Sequence, residues 1–97
     1  MSQKVIKQYM KEKLDFFNQK STSFILENFS FNEKVIINGK KYLLSGWVEN
    51  YDDGYLCVIQ IDGNKFFFIS FYHTLGLFIK GEDRKFLSEE EMWDIGL

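Results

Sequence analysis

Proline and alanine are both missing from this 97-residue chain, and cysteine, histidine and arginine occur once each, as Cys57, His73 and Arg84. One cysteine excludes an intramolecular disulfide framework and a multi-cysteine zinc site. One histidine excludes a histidine-based transition-metal cluster. No window approaches the roughly 18 consecutive apolar residues of a membrane-spanning helix, and Lys4, Lys7, Lys11 and Lys13 interrupt any apolar signal core at the N-terminus. The seven glycines are dispersed and fall into neither GxGxxG nor P-loop spacing, so no phosphate-cradling loop is present. These absences give the expectation of a soluble, cytoplasmic protein with no metal, no cofactor and no membrane partner.

What the chain does have is apolar bulk, with 11 phenylalanines and 45% hydrophobic residues, enough for one globular domain over residues 1–97. The wealth of Lys, Phe, Ile and Asn, against so little Ala, Pro and Arg, suits an AT-rich genome. Charge is unevenly spread. Residues 1–41 hold eight lysines and four acids, whereas residues 42–97 hold ten acids against Lys65, Lys80, Arg84 and Lys85. Such asymmetry gives the second half an acidic surface suited to a basic partner.

Three turn signals organise the middle of the chain: Asn38-Gly39, Asp52-Asp53-Gly54 and Asp62-Gly63. Asn-Gly and Asp-Gly tolerate the positive φ angles that tight hairpins need. The runs between them are rich in β-branched and aromatic residues, which predicts strands over 33–38, 41–50, 55–61, 65–72 and 76–80. Residues 35–42 and 59–66 share a turn-centred pattern, which common hairpin chemistry explains without a duplication. Asp52-Asp53-Gly54 reads as a longer loop than the other two.

Helices flank this meander. Val5, Ile6, Tyr9, Met10, Leu14, Phe16 and Phe17 recur near helical spacing and predict an amphipathic helix over 3–19 that packs on the sheet. Ser21-Thr22-Ser23 marks a break and a cap, and a short second helix is expected over 22–29. Ser88 with Glu91 three residues on forms a capping box, Gly96 suits the helix end, and Trp93 is expected to anchor this short C-terminal helix. The expected fold is α+β: an N-terminal amphipathic helix on an antiparallel β-meander of four to five strands, with a short C-terminal helix.

Strand alternation leaves neither face of the sheet polar. Tyr55, Cys57, Ile59 and Ile61 share one face of their strand, while Leu56 and Val58 share the other. Leaving five large apolar side chains in water would forgo on the order of 8–15 kcal/mol, as much as the whole stability of a typical domain. The second face therefore needs cover, from residues 20–31, from the C-terminal helix, from curling of the sheet, or from a second subunit or a partner.

No catalytic constellation emerges. His73 is a candidate base, but Cys57 falls among core positions and Ser70 lies in a strand interior, so neither is placed as its nucleophile. Asp52-Asp53, Glu82-Asp83 and Glu89 to Glu91 sit at turns or a helix start, and Asp52-Asp53-Gly54 lacks the spaced oxygens of a calcium loop. Nucleic acid is disfavoured, because the strands carry mainly Lys40, Lys41 and Lys65 and their loops are acidic. In size and composition the chain has the character of small accessory proteins of phage and bacterial conflict systems. The functional expectation is a non-enzymatic protein-binding module, such as a toxin-neutralising immunity protein or a phage-encoded inhibitor, acting by stoichiometric occlusion. Its contact surface is expected at Glu49, Tyr51, Asp52, Asp53 and Tyr55, where aromatic anchors meet acids that would steer a basic protein. The alternatives are a structural or regulatory homodimer using the second apolar face, and a small-ligand binder or enzyme around His73.

Overall fold

A computed structural model describes residues 2–63 and 72–96. Helix α1 (Ser2–Asn18) is followed by α2 (Thr22–Asn28) and by strands β1 (Phe31–Ile37), β2 (Lys40–Tyr51), β3 (Gly54–Asp62), β4 (Tyr72–Lys80) and β5 (Asp83–Leu87). Helix α3 (Glu89–Ile95) closes the described chain. The strands form one open antiparallel sheet in sequence order, β1-β2-β3-β4-β5, so the α+β architecture read from the sequence is present.

Local chemistry accounts for the element ends. Ser21 caps α2 by accepting a hydrogen bond from the Phe24 backbone N–H at 3.2 Å, so residues 22–28 are helical as expected. The capping box at α3 is complete: the Glu91 N–H donates to Ser88 Oγ at 3.3 Å, and the Ser88 N–H donates to Glu91 Oε1 at 3.2 Å. Gly96 ends that helix in the left-handed region, with φ of 100°.

Three expectations need correction. The strand expected over 65–72 lies outside the described residues except for Tyr72, which opens β4. Strand β3 pairs with β2 on one edge and with Tyr72–Ile79 on the other, Asp62 facing Tyr72. Asp62-Gly63 therefore does not turn directly into the neighbour of β3, because the connection runs through residue 71. Second, the sequence places Glu82-Asp83 at a turn with no strand after it, whereas Asp83–Leu87 adds a fifth strand on β4. Its charges suit an outer strand, since edges carry polar residues that a central strand could not. Third, Trp93 does not anchor α3: it is 59% exposed, and Met92, fully buried, is the residue that docks the helix.

Two cores lie on opposite sides of the sheet. On the first face, Ile6, Met10, Leu14 and Phe17 of α1, with Ile25 and Phe29, pack over Val35, Leu44, Cys57, Ile59, Ile61, Leu77 and Ile79. Residues 20–31 therefore belong to the first face rather than covering the second. Phe31 lays its ring across Gly46, its register partner on β2, and stacks near-parallel with Phe17 at 6.0 Å. The smaller second core joins Leu56, Val58 and Leu87 to Met92, with Trp47, Phe78 and Ile95 around it. Helix α3 supplies this cover, and Gly76 leaves room for the Met92 sulfur.

Candidate functional site

The β2–β3 hairpin brings the expected contact residues to one end of the sheet. Tyr51 pairs with Gly54, so only Asp52 and Asp53 form the turn. The loop expected to be longer is a two-residue turn. Both aspartates are in the left-handed region, with φ of 45° and 60°. The β1–β2 turn has the same backbone, with Asn38 at 51° and Gly39 at 77°. Positive φ at both central residues is the type I′ geometry, whose twist matches that of the strands it joins. The glycine of the middle motif has moved one place on, because a side chain at Gly54 would run into the Ile79 carbonyl oxygen on β4.

The turn aspartates are exposed to solvent and their carboxylates are almost unpaired. Lys80 Nζ stands 3.9 Å from Asp52 Oδ2 with both side chains at least half exposed, a contact of little energetic weight. Residues Asn50 to Tyr55 line a shallow, open depression of about 440 Å³ at the tip. Strand alternation sends the two tyrosines to opposite sides. Tyr51, 40% exposed, stands on the α3 side with its ring edge-on to Phe78 at 5.8 Å. Tyr55, 36% exposed, stands on the α1 side. Glu49 shares the Tyr51 side and lies outside the depression. The five residues thus form an acidic tip flanked by one aromatic on each face, not a single flat patch.

The residues weighed for catalysis do not converge. Cys57 is buried in the first core, and burial pushes its thiol up to about 11, against a smaller opposing pull from Arg84. His73 shares that face but lies four strand positions beyond the cross-strand partner of Cys57, roughly 13 Å at strand spacing. Ser70 lies outside the described residues. Among the described residues no group of three His, Cys, Asp or Glu side chains is placed to hold a metal ion.

His73 instead enters a polar cluster that joins three elements. Its Nδ1–H donates to Glu89 Oε1 at 3.0 Å, and Lys7 Nζ of α1 lies 3.1 Å from Glu89 Oε2. Burial opposes ionisation of Glu89, but the hydrogen bonds from Lys7 and His73, with the Coulombic pull of the same residues, hold its carboxyl below the ordinary range. A second tie runs from β5, where Arg84 donates to the Asn18 carbonyl at 2.6 Å and to Thr22 Oγ1 at 3.3 Å, bridging the last turn of α1 and the first of α2. A cation there complements the negative end of α1. Spacing in the sequence carries no signal of either tie.

The chain matches no protein-family model, no curated protein and no solved structure. Fold and site together define a small α+β domain with an open five-stranded sheet and an acidic, tyrosine-flanked hairpin tip.

Proposed function

We propose that this chain is a small non-enzymatic protein-binding module whose β2–β3 tip meets a basic protein and occludes it in one-to-one stoichiometry. A toxin-neutralising immunity protein or a phage-encoded inhibitor is the biological form of that reading. One observation carries it. A non-glycine residue in the left-handed region costs roughly 1–2 kcal/mol, less for Asp and Asn, whose side chains bond locally. The chain builds one type I′ turn cheaply with Asn38-Gly39 and builds the other from two aspartates at φ of 45° and 60°. Folding alone would be served better by Asn-Gly in both places. Two exposed carboxylates at a two-residue tip, beside Tyr51 and Tyr55, are what the costlier choice provides, and such groups steer and anchor a basic surface.

The test replaces the tip with the chain's own alternative. Asp52→Asn with Asp53→Gly removes both charges and relaxes the turn, so thermal stability should match or exceed wild type. Capture from the native host with mass spectrometry should yield a basic protein bound one-to-one by wild type, and the double variant should bind it at least about tenfold more weakly. Equal affinity for the two forms removes the tip as the contact surface. Failure of wild type to form any one-to-one complex removes the reading itself.

A further inference from the structure

Helix α3 leaves a groove open at the tip end of the second face. The groove, of about 380 Å³, is lined by Tyr51, Phe78, Leu87 and Ile95, with Glu91 and Asp94 of α3 along one side. Tyr51 also lines the depression at the tip, so the two are continuous. The charge around the groove comes out acidic. Lys85 faces Phe78 in the register, and Lys80 shares that face two positions along β4. Each lysine is matched by an acid: Lys85 Nζ lies 3.3 Å from Glu91 Oε2, and Lys80 Nζ lies 3.9 Å from Asp52 Oδ2. Glu49, which faces Leu56, Asp83, which faces Lys80, and Asp94 are then in excess. Among the described residues none of these three has an ion-pair partner. Asp94 is exposed and lies in the last turn of α3, which holds no basic residue. An acid at the negative end of a helix works against the helix, so helix stability does not account for Asp94.

We propose that this groove takes an arginine side chain of the basic protein that meets the tip, with the guanidinium between Tyr51 and Asp94. The proposal rests on the tip reading for its partner and adds a second point of contact on the α3 side. The lining asks for an occupant with an aliphatic stem and a cationic head. Phe78, Leu87 and Ile95 cover the stem, and a long basic side chain buries such a stem while its charge stays at the edge. Asp94 supplies the counter-charge, and Tyr51 supplies an aromatic ring for the cation. Arginine fits better than lysine, because a planar guanidinium stacks on a ring and pairs with a carboxylate at the same time. An acidic segment meets the excess of carboxylates, and an apolar one covers Asp94 without pairing it.

NMR titration of the isotope-labelled full chain with hexa-arginine amide tests it, at about 0.1 M salt so that diffuse attraction is screened. Shifts should concentrate on Tyr51, Phe78, Asp94 and Ile95 and saturate below about 2 mM peptide. Asp94→Asn should weaken binding at least about threefold. Its circular dichroism should match wild type, because the position is exposed and the helix loses an unfavourable charge. Hexalysine amide should bind at least about threefold more weakly than hexa-arginine, since it lacks the planar head. Shifts confined to Asp52 and Asp53 overturn the groove and leave the tip reading standing. Equal binding by Asp94→Asn and wild type overturns it, as does equal binding of the two peptides. No saturable shift at all also overturns the groove, whereas the tip reading falls only with the absence of a one-to-one complex in the capture experiment.

Discussion

Glu89 is the residue on which the ends of the chain meet, with Lys7 of α1 on one oxygen and His73 of β4 on the other. Its carboxyl is held below the ordinary value of 4.5, so the folded state binds its proton more weakly than the unfolded chain does. The stabilisation is therefore complete above the unfolded value and is lost as pH falls through the folded one. Glu89→Gln should lower the urea-unfolding free energy by about 1 kcal/mol near neutral pH, the scale of a partly exposed ion pair. That difference should close as pH falls through the folded value, where wild type also loses the charge. A difference of constant size across that range would show that Glu89 acts through packing alone. In sequence Glu89 is visible only as a first-turn acid of a capped helix, since partners at positions 7 and 73 leave no local signature.

At the scale of the element, the β2–β3 hairpin is governed by two neighbouring positions with different demands. Asp52 and Asp53 require a backbone that asparagine or glycine would take more easily, and Gly54 requires the absence of a side chain. Gly54→Ala places a methyl group against the Ile79 carbonyl on the adjacent strand, where backbone rather than a flexible side chain must yield. The expected cost is about 2–3 kcal/mol, the range of overpacked interiors, read as a fall in the chemical-denaturation midpoint. A change below about 0.5 kcal/mol would mean that β3 and β4 are spaced more loosely at this end than the register implies. The turn itself is legible from Asp-Asp-Gly. Its true length is not, because whether the glycine is a turn residue or the first strand residue depends on what β4 brings beside it.

For the molecule as a whole, the arrangement is three layers: α1 and α2, the sheet, and α3. The outer layer rests on one short helix, and Met92 is its anchor. Met92→Ala should cost about 2–4 kcal/mol, as buried large-to-small changes do. Trp93→Ala should change the stability of the single chain by less than about 0.5 kcal/mol, as exposed positions do. Differential scanning calorimetry at low micromolar concentration separates the two, and equal effects would contradict the docking described for α3. The sequence reading took the larger aromatic as anchor. It failed because a seven-residue helix offers little periodicity, and a rotation of one position exchanges the buried residue for the exposed one.

Sequence alone determined the elements with strong local chemistry. The stripe of α1, the serine caps of α2 and α3, the Asn38-Gly39 hairpin and the two apolar faces all follow from short-range sterics, hydrogen bonding and side-chain period. Tertiary structure decided what those elements meet. It placed residues 20–31 on the first face and α3 on the second, and it added the charged strand β5 at an edge where charges are tolerated. It also drew Lys7, His73 and Glu89 into one cluster. Those outcomes depend on pairing and packing between distant residues, whose energies no local window contains. The acidic tip belongs to both levels: its residues are plain in the sequence, and its two-residue geometry is set by the strand beside it.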